Sequence, residues 1–201
     1  MDNNDNTIVD ALQRGDLFAA RKIFIYRPNA VNEQITVLGQ TALHIAVVAR
    51  HMHIAAELID IMWKEALEIK DKKGNTALFE ALFIGNWKMA KRMLNKNKKL
   101  VSIGNALNIL PVVMAIQYGY TEFAYELYLL TPLEDLTAEK GVNGATLCTQ
   151  AIYTRNLGKN SSSNKSIGVV ISDDLKSSQY KSLLVQCLLY PGTKQQILLW
   201  I

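Results

Sequence analysis

Apolar residues return along the chain in a fixed relation to a series of alanines. Ala11, Ala46, Ala81, Ala115 and Ala151 are spaced 35, 35, 34 and 36 residues apart. Three residues before them stand Ile8, Leu43, Leu78, Val112 and Cys148, and one residue after stand Leu12, Val47, Leu82, Ile116 and Ile152. Nine residues after the first four anchors come Ala20, Ala55, Ala90 and Ala124. Twelve after come Ile23, Leu58, Met93 and Leu127, and thirteen after come Phe24, Ile59, Leu94 and Tyr128. The columns at −3, 0 and +1 share one face of a helix, and so do those at +9, +12 and +13. Polar positions and a break near Gly15, Gly85 and Gly119 separate the two faces. Each unit therefore reads as helix, tight turn, helix.

Local chemistry supports this reading. Thr41 and Thr76 stand where a first helix begins and suit its N-cap. Pro111 falls in a first helical turn, where a missing N–H leaves no bond unmade. The glycines suit a left-handed residue between helices. Asp71-Lys72-Lys73-Gly74-Asn75 reads as a turn leading into the next unit. One pair of short helices cannot bury its own apolar face. Stacked pairs bury it together, which predicts an all-α solenoid stabilised by neighbour contacts.

The wording of the units resembles a known family. Residues 39–46 read GQTALHIA and residues 74–81 read GNTALFEA. With a period near 33 and Asp71-x-x-Gly74-x-Thr76, they are similar to ankyrin repeats, with Ala42 in place of the family's proline. The resemblance runs over residues 1–156 in about five copies, the last incomplete, and implies hairpin-like turns between the helix pairs. Arg50 and Arg155 occupy positions usually held by glycine, and the turn between Asn32 and Gly39 is lengthened, so reshaped turns are expected there. More narrowly, spacing and wording resemble plant ankyrin-repeat proteins with a C-terminal transmembrane domain. In that group a Pro-Gly-x-Lys segment, like Pro191 to Lys194, leads into the membrane part. The resemblance implies a shortened member lacking that part.

In the fifth copy the pattern fails. Its second-helix positions are Asn160, Ser163 and Asn164. Residues 158–166, GKNSSSNKS, are polar and can bury nothing, so a flexible linker is expected over 157–174. Residues 179–190 have the spacing of one amphipathic helix, with Leu183, Leu184, Cys187 and Leu188 on a face. That helix and the apolar tail QILLWI, within 175–201, could cap the stack or meet a partner.

Composition narrows the class. Hydrophobic residues make up 49% of the chain, enough for a core, while a net charge of +4 falls short of a nucleic-acid footprint. Two cysteines, Cys148 and Cys187, are too few for a disulfide framework, which favours a reducing compartment. The polar, acidic opening MDNNDNTIVDALQRGD does not read as a signal peptide, and no apolar run reaches bilayer length. The expected location is cytoplasmic, at the inner face of the plasma membrane where a partner holds it there.

Candidate chemistry is sparse. His44 has no nucleophile pattern around it, and the resemblance implies that it hydrogen-bonds Thr41. His51 and His53 straddle a turn with no Cys or carboxylate arranged beside them, so a solvated turn is preferred over a metal. Cys148 replaces a core leucine. The glycines write no phosphate-binding loop. Lys88, Lys91, Arg92, Lys96, Lys98 and Lys99 form one basic run, interleaved by Ala90, Met93 and Leu94 at core spacing. A solvated helix face is the favoured reading; the alternative is a peripheral binder of an anionic membrane surface or nucleic acid through residues 88–99. No cofactor or metal is called for.

Stacked repeats offer a long surface of turn tips and first-helix faces, with no deep cavity for catalysis. A non-enzymatic module that binds another protein is therefore expected. The candidate contacts are Lys72, Lys73 and Asn75 on one tip, Val142 and Asn143 on another, and Phe83, Ile84, Gln117, Tyr118 and Tyr153 on the helices. The bulky ones suit an interface anchor, although packing on neighbouring turns would use the same side chains. The plant resemblance implies a scaffold in signalling or in stress and defence responses, with a membrane-tethered relative among its partners.

Overall fold

The computed structural model describes residues 3–157. Among these the secondary structure is helical apart from one isolated antiparallel bridge, Gln34 to Thr41. The chain divides between Asn108 and Ile109 into two compact units.

The first unit holds three helix pairs. They are α1 (Asn3–Arg14) with α2 (Leu17–Tyr26), α3 (Ala42–Val48) with α4 (Met52–Ile61), and α5 (Ala77–Phe83) with α6 (Trp87–Lys96). A short 3₁₀ turn follows each pair, at Pro28–Val31, Glu65–Glu68 and Lys98–Ser102. The first helices form one row, α1 on α3 and α3 on α5, and in the second row α4 packs on α6. The alanine ladder explains the close approach: Ala11, Ala46 and Ala81 are buried, with Leu12, Val47 and Leu82 beside them. Ala20, Ala55 and Ala90 are likewise buried on the second helices, the last two where α4 packs on α6.

The turn between paired helices has one geometry throughout. Gly15, Gly85 and Arg50 all have positive φ, at 77°, 70° and 62°. After each, the next residue's N–H returns to the anchor alanine's carbonyl: Asp16 to Ala11, His51 to Ala46 and Asn86 to Ala81. Arg50 does not reshape its turn; it adopts the glycine conformation.

Thr41 caps α3 as expected, while Thr76 has the same extended backbone but makes no side-chain cap bond. The difference lies three residues on. His44 completes a capping box with Thr41, whereas Phe79 has no polar side chain to offer Thr76 and its main-chain N–H donates to the Thr76 carbonyl.

The second unit contains α7 (Pro111–Gln117), α8 (Thr121–Leu130) and α9 (Leu133–Leu157). Pro111 opens α7, Gly119 at φ 78° turns the chain, and α7 packs on both α8 and α9. Here one expectation is corrected. Val142 and Asn143 were expected on a turn tip, but α9 runs through them unbroken. Glycine weakens a helix interior by about 1 kcal/mol each. Burial of Leu136, Ala145, Leu147 and Cys148 outweighs Gly141 and Gly144. The linker, helix and tail expected beyond residue 157 lie outside the described residues.

Candidate functional site

Three loops of the first unit stack tip on tip. In the first, Ile35 is buried, its N–H donates to the Gln40 carbonyl at 2.8 Å, and Gly39 takes φ 72°. In the second, the Asp71 side chain turns inward and accepts the main-chain N–H groups of Lys73 and Asn75, both at 2.9 Å. The two loops are tied to each other. Lys72 N–H donates to the Leu38 carbonyl at 2.8 Å, and Gln34 Nε2 donates to the Lys70 carbonyl at 3.0 Å. The third loop meets the second at Gly74, where an added Cβ would lie 2.6 Å from Ala106.

This ladder decides what faces outward. Lys72 and Lys73 are exposed, as expected of a tip. Asn75 is only 8% exposed, so its expected partner contact is corrected to a structural one. Its N–H and its carbonyl are used inside the fold, and Nδ2 reaches Glu80 Oε1 at 3.4 Å. Val37 and Leu38 are 63% and 53% exposed beside the lysines, and Leu107 is exposed on the third loop. Sequence reasoning missed these three. For Val37 and Leu38 the legible signal was a pair of apolar letters directly before turn Gly39, where polar residues are usual; Leu107 carried no such signal.

On the first-helix side, Phe83 is 39% exposed and Ile84 half-buried, with Val48 exposed at the matching place in the preceding repeat. In the second unit, Gln117 and Tyr118 are exposed at the end of α7, and the Tyr118 ring stacks on Tyr120 at 6.0 Å. Asn143 is 7% exposed and accepts the Leu110 N–H at 3.0 Å, a role inside the unit, while Val142 is exposed on α9. Tyr153 also lies in α9.

Two of the three histidines have partners inside the fold. His44 is buried between Thr41 and the Asn75 carbonyl, and burial lowers its pKa. His51 is less solvated than expected: Nε2 sits 2.9 Å from the Gln13 carbonyl and the ring lies against Gly15, tying one repeat to the previous one. Burial raises the pKa of Glu80. Among the described residues, no group of three or more His, Cys, Asp or Glu is placed to hold a metal ion. No described helix is long and apolar enough to cross a membrane.

The basic helix has partly committed charges. Met89, Ala90, Met93 and Leu94 face the core, Arg92 pairs with Asp60 at 2.5 Å, and Lys96 Nζ binds the Asp60 carbonyl at 2.8 Å.

Comparison with curated proteins returned no match. The family model described as ankyrin repeats (3 copies) matches residues 3–105, the stretch that carries the three helix pairs of the first unit. With half of the chain matched and the helices, caps and turns in the places that the repeat demands, the chain belongs to the ankyrin-repeat family.

Proposed function

We propose that this chain is a non-enzymatic scaffold that binds another protein through its loop tips and first-helix ends. Ankyrin repeats generally mediate protein–protein interaction. The observation that carries the reading here is the exposure of Val37, Leu38, Val48 and Phe83 on tips and helix ends whose backbones are fixed by hydrogen bonds. Apolar side chains on such a fixed backbone have the character of interface anchors, because little backbone ordering entropy is lost when they are covered. Tyr118, held by its stack on Tyr120, offers the same on the second unit.

The finer setting is part of the proposal. A role in plant signalling or stress and defence, beside a membrane-tethered relative, rests on the wording of the repeats and on Pro191 to Lys194.

Affinity purification from the native tissue, repeated with Phe83→Ala and Tyr118→Ala, tests the reading. Both variants should lose the partner while keeping the helical circular dichroism signal. A partner retained equally by both would refute the assignment of this surface.

A further inference from the structure

The second helices carry a surface distinct from the tips. Between α4 and α6 lies a groove of about 490 Å³. Its floor is apolar, made by Met52 and Ala56 of α4 and buried Met89 of α6. Its α6 rim carries Lys88, Lys91 and Arg92, the last already paired with Asp60, and no carboxylate lines it among the described residues. The sequence builds this directly. With Met89, Ala90, Met93 and Leu94 turned to the core, the cations fall on the outer arc. Lys88 and Lys91 stand one turn apart, with Cβ atoms about 5–6 Å from each other.

We propose that this groove binds an acidic segment of a partner protein. Its Asp or Glu side chains face Lys88 and Lys91, and an aliphatic side chain enters between Met52 and Met89. Methionines adapt their shape to an incoming apolar group, and rim charges select its sign and register. A nucleic acid fits less well, because it needs a continuous run of phosphate contacts, and the Lys and Arg residues of this groove stand on its α6 rim alone. A lipid surface is flat, whereas the apolar part here is recessed. The neighbouring groove of about 500 Å³, lined by α2 and α4, carries the Arg21–Glu57 pair and so selects no sign of charge. The proposal rests on the reading of the chain as a binding module, but not on which residues hold its first partner.

Random peptides displayed on phage and selected on the full chain provide the test. The counter-targets are Lys88→Glu with Lys91→Glu, and the milder Lys88→Gln with Lys91→Gln. Enriched peptides should pair Asp or Glu with Leu, Ile or Met. Resynthesised, they should bind either double variant about tenfold more weakly, with the helical signal unchanged. Enrichment of neutral or basic peptides, of none, or of peptides indifferent to both variants overturns the proposal. So does tighter binding of a DNA duplex or phosphatidylserine vesicles through the same lysines. Peptides lost with Phe83→Ala but kept by the lysine variants belong to the tip and first-helix surface; they refute this groove and leave the scaffold reading standing.

Discussion

His44 of one repeat is hydrogen-bonded to the loop of the next, its ring Nε2 lying 3.1 Å from the main-chain carbonyl of Asn75. A carbonyl only accepts, so Nε2 carries the hydrogen and donates it. Nδ1 is then left to accept from the Thr41 main-chain N–H at 3.2 Å and to meet Thr41 Oγ1 at 2.8 Å. The neutral ring satisfies every partner. Protonation would place a second N–H against a donor, inside a buried site.

Acid should therefore weaken the fold through His44. Burial holds its pKa below the ordinary 6.5, partly offset by the Asn75 bond and by Asp71. The unfolded chain then binds the proton more readily. This contribution to stability is fully present above pH 6.5 and is lost as pH falls from there toward the lowered folded value. One proton gives a slope of at most about 1.4 kcal/mol per pH unit. Glu80 acts with the opposite sign: raised above 4.5, it favours the fold at low pH and withdraws that support as pH rises. Urea midpoints from about pH 7.5 to 5.5 should fall in the wild type and fall less in His44→Phe, which keeps Glu80 and should itself lose about 1–3 kcal/mol. Equal slopes in the two chains would show that His44 does not report the acid effect.

The two N-cap threonines should respond differently to the same change. Thr41→Val removes the cap and the hydroxyl beside Nδ1, and should lower stability by about 1–2 kcal/mol. The Thr76 hydroxyl is buried without a hydrogen-bond partner. Thr76→Val relieves that desolvation in an extended backbone that a β-branched residue accepts, so it should be neutral or stabilising by up to about 1 kcal/mol. Chemical denaturation of both variants decides it, and a loss at Thr76 equal to that at Thr41 would contradict the account.

These residues also show what the sequence made legible. The ladder of Ala11, Ala46 and Ala81 could be read because close helix packing demands a small residue at one register, and Ala115 is buried at the same register of α7 within the second unit. The glycine turns could be read because positive φ nearly names its residue. Asn75 and Asn143 were misassigned for one reason: a polar letter near a glycine reads as exposed turn. Whether its atoms point inward depends on neighbours distant in sequence, His44 in one case and Leu110 in the other, with Asp71 of the same loop beside the first. The α9 helix hid similarly, since Gly141 and Gly144 are local breakers while the burial that overrides them comes from α7. The exposure of Phe83, Tyr118 and the two lysines was legible; Val37, Leu38 and Leu107 lie outside the repeating columns that carried the reading.

Backbone strain supplies the last prediction, through two positions of positive φ that differ in their residue. Arg50 holds φ 62° with its N–H on the Val47 carbonyl at 3.0 Å, as Gly85 does with Leu82 at 3.0 Å. An L side chain is unfavourable there by about 1–2 kcal/mol, whereas glycine loosens the unfolded chain by somewhat less. Arg50→Gly should thus stabilise the protein by about 0.5–1 kcal/mol. Gly74 presents the reverse. Its φ is 77°, and an added Cβ would lie 2.6 Å from both the Cβ and the main-chain nitrogen of Ala106. Neither can withdraw as a flexible side chain would. Gly74→Ala should destabilise by about 2 kcal/mol or more and loosen the contact between the second and third loops. Thermal melts of the two single variants should move in opposite directions; a gain at Gly74 or a loss at Arg50 would mean that local backbone conformation does not control these turns.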